Sequence, residues 1–245
     1  MTNTSIFVSK ITKILKTNNP LFMVPIRGRK LWRTMPDFSH IILPPLEHRT
    51  LVQLSPVPDW RGIEPKKSSR KYADLRGPEL INNDLVYGQF GIMTVTGVNL
   101  TINHLNMIQQ KINKHMDIKK MYAVWRVDPP WKPISKKAHS KKMGGGKAPI
   151  HHYVTPVRAG SIIVEIGGHI ELEDCAYFLE AIMAKLPCDT YIVTKELLEQ
   201  WKKEEEQQAK MNINPINYEY AVKNNMAGCH KWISPYDHRW YNKYK

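Results

Sequence analysis

Between residues 85 and 194 the apolar side chains recur at two periods, and each change of period marks a change of element. Residues 85–98 are rich in Val, Tyr, Phe, Ile and Thr and are interrupted by Gly88, Gly91 and Gly97, which predicts a bent or bulged strand. Thr101 then offers an N-cap, and Ile102, Leu105, Ile108 and Ile112 follow at helical spacing, so an amphipathic helix is expected to run to Met116 or Asp117. Residues 121–127 (MYAVWRV) form the next predicted strand, stopped by Asp128-Pro129-Pro130, because a double proline cannot continue a ladder. No apolar period exists from 130 to 150. The runs 151–158 and 161–166, separated by Ala159-Gly160, predict a hairpin, with Pro156 at an edge or bulge. Leu172, Cys175, Ala176, Leu179, Ile182, Met183 and Leu186 line one face of a second helix that Pro187 ends, and 190–194 is a short last strand. Two helices and about five strands, with neighbours mostly antiparallel, predict an α+β fold: an antiparallel or mixed sheet with both helices packed on one face. A long basic, glycine-rich loop and extensions at both ends complete the expected architecture.

The flanks have a different character. Residues 37–64, punctuated by Pro44, Pro45, Pro56 and Pro58, are expected to be an extended connector lying on another surface. From 195 to 210 the pattern is that of a charged helix with Leu197, Leu198 and Trp201 as its apolar side, while 211–245 mixes Tyr and Trp with Asn, Lys and His without a period. The first 36 residues hold Lys10, Lys13, Lys16, Arg27, Arg29, Lys30 and Arg33 and no Asp or Glu, with Ile6, Phe7, Val8, Ile11, Ile14 and Leu15 among them. An acid-free, basic, amphipathic start of this kind predicts a mitochondrial transit peptide and so a mitochondrial matrix location; the alternative is a basic RNA-binding arm.

Charge sharpens the picture. The chain carries 36 Lys and Arg against 22 Asp and Glu, a formal +14, which calls for a polyanionic partner. No stretch approaches the roughly 20 apolar residues of a spanning helix, so membrane insertion is not expected. The cysteines Cys175, Cys188 and Cys229 are odd in number and widely spaced, which suggests neither a disulfide framework nor a zinc knuckle, and Cys175 suits a small buried position on its helix. No cofactor or metal is expected.

The cations are concentrated. Between 111 and 147 lie Lys111, Lys114, Lys119, Lys120, Arg126, Lys132, Lys136, Lys137, Lys141, Lys142 and Lys147, against only Asp117 and Asp128, a net +9 over 37 residues. A phosphate backbone would balance that repulsion, with counterion release favouring each contact. The second half, with Glu171, Glu173, Asp174, Glu180, Glu196, Glu199, Glu204, Glu205 and Glu206, is acidic by contrast, so charge is polarised along the chain. At the centre of the basic run, SKKMGGGKAP (140–149) combines lysines with Gly144, Gly145 and Gly146, which permit close approach of backbone to a ligand. A nucleotide-binding P-loop would need Ser or Thr after the Gly-Lys pair and a helix beyond it; here Ala148 and Pro149 follow Lys147 and a strand comes next. Trp131 and Met143 could stack on bases or ribose. His151-His152 suggests metal or acid-base chemistry, as in a nucleic-acid-processing enzyme, but neighbours on a regular strand point to opposite faces. His104 and His115 share roughly one face of the first helix about 16 Å apart.

The order and spacing of YGQFGI (87–92), the Leu100-Thr101 helix entry, AVWRVDPPWKPISKK (123–137), KKMGGGK (141–147), YV (153–154), AG (159–160), EIGG (165–168) and AIMAKLP (181–187) resemble the large-subunit ribosomal protein family L-sixteen over about 65–194. The resemblance implies a structural, non-enzymatic subunit that binds large-subunit ribosomal RNA beside the aminoacyl-tRNA site. It implies that Lys141, Lys142, Met143, Gly144, Gly145, Gly146 and Lys147 form a loop tip directed at tRNA, and that Lys66, Lys67, Arg70, Lys71 and Arg76 belong to a basic arm on ribosomal RNA. Lys142 and Ala148 stand where the family pattern R-M-G-x-G-K-G has Arg and Gly. Bacterial members lack the first 60 or so residues and the tail after 194, so the added ends resemble those of a mitochondrial form, packing on neighbouring ribosomal proteins. A non-ribosomal RNA-binding factor of the matrix is the remaining alternative.

Overall fold

The computed structural model describes residues 36–62, 66–67 and 72–244, so the expected leader lies outside the described residues up to position 35, as do Arg70 and Lys71. In chain order the described elements are β1 (Phe90–Thr94), β2 (Val98–Thr101), α1 (Ile102–His115), β3 (Met121–Trp125), β4 (Lys132–Ser135), β5 (Ile150–Val157), β6 (Ile162–Gly168), α2 (Leu172–Met183), β7 (Thr190–Thr194), α3 (Lys195–Met211), α4 (Tyr218–Lys223) and α5 (Pro235–Trp240). The strands form two sheets, ordered β3-β6-β1-β7 and β2-β5-β4, and every pairing within them is antiparallel. This is the α+β class that the periodicities predict. Leu105, Ile108 and Ile112 of α1 and Cys175, Phe178, Leu179 and Ile182 of α2 are buried in one cluster with Ile92, Val164 and Ile166 of the four-stranded sheet.

Two expectations change in an instructive way. Residues 85–98 are not one strand, and 151–166 is not a hairpin. β1 pairs with β6 and β2 pairs with β5, so the two chain segments run side by side as one long ribbon that bends at 94–97 and 158–161, delivering each half to a different sheet. Ala159-Gly160 is therefore a corner within a continuing strand, although its composition matches a two-residue turn. The corner is fixed by Thr94, fully buried, whose hydroxyl donates to the carbonyls of Arg158 (2.7 Å) and Ser161 (3.2 Å) and whose N–H donates to Ser161 O (2.9 Å). At Gly97 an added Cβ would collide with the Leu75 carbonyl, so the close passage of two backbones there requires glycine. Pro156 pairs only with Asn99 of β2, beyond the end of β4, where its missing N–H interrupts no second ladder.

A third difference is β4, which lies inside the region predicted to be without structure. Its edge position accounts for the weak signal: an edge strand tolerates Pro133 and needs few apolar residues. The loop proper is thereby shortened to 136–149.

Buried polar bonds register the four-stranded sheet. Glu165, fully buried at the centre of β6, accepts the N–H groups of Val86 (2.9 Å), Tyr87 (2.6 Å) and Gly88 (3.0 Å). Beside it the Gln89 amide clamps the end of the same strand, its oxygen accepting from Gly168 N (2.5 Å) and the Tyr122 hydroxyl (3.1 Å) and its nitrogen donating to Gly168 O (3.0 Å). Burial, with Glu165 and Tyr87 nearby, pushes the Tyr122 phenol far above its usual range, so it stays a hydrogen-bond donor. The YGQF and EIGG segments thus recognise each other inside the protein.

The connector packs on its own chain. Leu51 is buried in the core, its carbonyl accepts from Gln109 (3.1 Å) and Asn113 (3.0 Å) of α1, and Trp125 Nε1 donates to Val52 O (2.8 Å). Arg49 O accepts the Ala123 N–H (2.8 Å) on the open side of β3, covering a sheet edge. At the other end, Thr194, Asn217 and Ser234 cap α3, α4 and α5 through their side-chain oxygens, and Pro235 sits in the first turn of α5, which gives order to a tail without apolar period. Arg76 binds Asp237 of α5 at 2.6 Å, and Trp240 packs against Gly77. Replacing Glu165 with Ala strips acceptors from three N–H groups, each costing about 1–3 kcal/mol when buried and unpaired. Urea denaturation is expected to show a loss of at least about 3 kcal/mol, and a loss under about 1 would contradict this role.

Candidate nucleic-acid interface

The loop between β4 and β5 leaves the body of the protein with its cations outward. Lys136, Lys137, Lys141, Lys142 and Lys147 are exposed, and Met143 at the tip is 98% exposed. Gly144 (φ +100°) and Gly146 (φ +73°) hold the left-handed region, and a Cβ on any of Gly144, Gly145 or Gly146 would meet nothing within 4 Å. The glycines therefore serve backbone conformation and external approach, not internal packing. Around the loop base lies an open pocket of about 730 Å³, lined by those five lysines together with Ala138, His139, Gly145, Gly146, Ala148, Pro149 and His151. Among the described residues no carboxylate lines it.

The N-terminal basic arm meets the loop here. Lys67 Nζ donates to the Lys147 carbonyl and Lys147 Nζ donates to the Lys67 carbonyl, both at 3.1 Å. Lys66 beside them is exposed. On and after α1, Lys114, Lys119 and Lys120 are exposed as well. Trp131 is 41% exposed, its N–H held by Val154 O at 3.3 Å.

Other predicted cations are turned to internal work. Lys132 is 5% exposed and binds Asp74 at 2.6 Å, so it is not part of the loop surface. Arg76 is committed to Asp237. Lys111 Nζ donates to the Ala181 carbonyl (3.2 Å), joining α1 to α2, and Arg126 is half-buried with its Nε enclosed. Charge run alone could not separate these from the exposed group, because the partners that draw them inward are remote in sequence.

The histidines also rearrange the expectation. His151 and His152 do not diverge: their Nδ1 atoms lie 2.9 Å apart and their rings meet edge to face at 5.1 Å. The cause is a bulge, since Ile134 faces His152 while Ser135 faces Ile150, leaving His151 as an extra residue on β5. Strand alternation fails at that point. Burial, then the neighbouring His151 and Lys136, hold the His152 imidazole below the ordinary histidine value. His139, which the charge pattern passes over, joins this neighbourhood.

Elsewhere the reactive groups have structural partners. His104 Nδ1 accepts from the Thr101 N–H (3.2 Å) at the start of α1, and His115 bonds the Tyr177 hydroxyl (2.7 Å) and stacks on Phe178. Cys175 is buried, its thiol pushed up to about 12 by burial and by Asp174, which removes it as a nucleophile near neutral pH. Among the described residues no group of three or more His, Cys, Asp or Glu converges as a metal site would require, and no helix is long and apolar enough to cross a membrane.

The contrast between buried and exposed lysines is measurable. Lys132→Ala is expected to lose about 1–3 kcal/mol of stability, whereas Lys136→Ala, Lys137→Ala and Lys142→Ala stay within about 0.5 kcal/mol of the parent; equal losses at Lys132 and Lys136 in urea titrations would refute the division. A family model described as Ribosomal protein L16p/L10e matches residues 63–193, more than half of the chain, from the end of the connector to β7. The chain belongs to the ribosomal protein L16p/L10e family and is a structural constituent of the ribosome, with ribosomal RNA and other ribosomal proteins as the partners that the family implies.

Proposed function

We propose that the protein is a non-enzymatic subunit of the large ribosomal subunit of mitochondria, binding its ribosomal RNA beside the aminoacyl-tRNA site. The observation that carries the proposal is the protruding loop 136–149, in which five exposed lysines surround bare glycine backbone with no carboxylate among them. Such a surface satisfies phosphates by charge and by direct amide contact, and it reads shape, not base sequence. Lys66 and Lys67 extend it toward the N-terminal arm, and Lys114, Lys119 and Lys120 supply a further RNA-facing group. In this reading Lys141–Lys147 face the aminoacyl-site tRNA, with Met143 offering an apolar contact at the tip.

The same proposal divides the chain into a transit peptide at 1–36, a connector at 37–64, the RNA-binding domain at 65–194 and an extension at 195–245. The acid-free, basic start supports the mitochondrial part. Neighbouring mitochondrial ribosomal proteins would pack on the extensions, where Trp232 is 71% and Ile213 95% exposed.

Two measurements test this. The endogenous protein is expected to cosediment with mitochondrial large subunits, and recovery only in a ribosome-free matrix fraction would refute the assignment. The purified chain is expected to bind ribosomal RNA fragments with an affinity that falls by orders of magnitude between about 50 and 200 mM salt. Changing Lys136, Lys137, Lys141, Lys142 and Lys147 together to Gln should lower the log–log salt slope by up to about 4, and an unchanged slope would place the RNA contact elsewhere.

A further inference from the structure

We propose that His151 and His152 form a phosphate-binding site at the base of the loop, which takes up one proton as RNA docks. The inference rests on the reading of the loop as an RNA contact and adds to it a ligand group, a stoichiometry and a pH dependence. The bulge at the start of β5 brings the two Nδ1 atoms to 2.9 Å, a distance at which one ring donates Nδ1–H to the lone pair of the other. The donor ring is then left with a bare Nε2, while the acceptor ring carries its hydrogen on Nε2. Both Nε2 atoms lie across their rings from the contact and are turned away from it.

A proton taken from solvent onto the bare Nε2 keeps the Nδ1–H···Nδ1 bond and makes it charge-assisted. The protonated ring then offers a charged Nε2–H donor, which suits a non-bridging oxygen of a phosphodiester. Burial, then His151 and Lys136, disfavour that proton on His152. Among the described residues, Lys136 just after β4 and Lys137, His139, Lys141, Lys142 and Lys147 of the loop are the titratable groups that line the pocket with His151, and Lys136 also acts on His152. A phosphate reverses the sign of that field. The RNA-bound pair therefore holds its proton to higher pH than the free pair. Affinity is greatest below the free pair's titration and is lost as pH rises through that of the bound pair, at up to tenfold per pH unit for one proton.

The test uses the full-length chain and a short fluorescent RNA oligonucleotide. Affinity is measured from about pH 6 to pH 8, and proton uptake is measured by calorimetry in buffers of differing ionisation enthalpy. The parent should bind several-fold more tightly at the acid end and take up close to one proton per RNA. His151→Asn/His152→Gln should abolish both effects. No uptake by the parent, uptake that survives the double substitution, or cleavage of the RNA would each overturn the proposal. The lysine-to-glutamine variant separates the two layers: if it loses affinity while the double variant keeps its proton uptake, only the histidine site fails; if it binds as the parent does, the loop reading fails with it.

Discussion

The fully buried carboxylate of Glu165 is the constraint on which the arrangement of this protein depends. A group with two acceptor oxygens and no water must find its donors within the chain. It finds them in the consecutive N–H groups of Val86, Tyr87 and Gly88, which therefore cannot enter a ladder. The segment before β1 is held as a loop over the sheet, β1 begins only at Phe90, and the register of β1 against β6 is set with Phe90 opposite Ile166. Slipping that pairing by one residue would turn the carboxylate to the other face and leave the three N–H groups bare. The bent ribbon follows from the same anchoring, because β1 and β6 continue as β2 and β5 through the corner that Thr94 fixes.

The loop inherits its place from that ribbon. β5 is the middle strand of the second sheet, with β2 on one side and β4 on the other, so the connection from β4 to β5 must emerge at one end of the sheet. The bulge at His151 lies where that connection returns to the sheet. Its extra residue brings the two imidazoles together and leaves His151 lining the pocket with the loop cations. Bulges next to functional surfaces commonly re-aim side chains in this way.

Much of this was legible in sequence where a single segment decides the outcome. α1 announces itself through Leu105, Ile108 and Ile112 and through Thr101 at its start, and each of these behaves as the pattern predicts. The loop was legible as charge plus glycine, and the motif order 87–187 pointed to the family that the match over 63–193 identifies. What was hidden depends on two segments at once. Ala159-Gly160 suits a hairpin and a corner equally, and only Thr94, more than 60 residues earlier, selects the corner. His151 points toward His152 because of its register against Ile134 and Ser135, which no reading of one strand supplies. Lys132 and Lys136 look alike in a charge run, but Asp74, 58 residues away from Lys132, draws only that one inside.

That division of the cations explains why a chain with a formal +14 can fold and still retain a surface for an anionic partner. The carboxylates closest to cations are used at joints. Asp74 holds Lys132 at the edge strand, Asp237 and Arg76 bring α5 back to the segment before β1, and Glu219 and Lys223 brace α4 along one helix face. Arg76–Asp237 fixes the C-terminal extension to the domain, and the low exposure of Lys132 makes its pair with Asp74 count for more than the open pair on α4. The five lysines of 136–147 are set apart from these joints, on a loop whose glycines keep its backbone open. Their mutual repulsion is tolerable in water and salt, and among the described residues no carboxylate lines the pocket they share. Cations drawn inward by remote carboxylates thus hold the body together, and those of the loop stay at the surface.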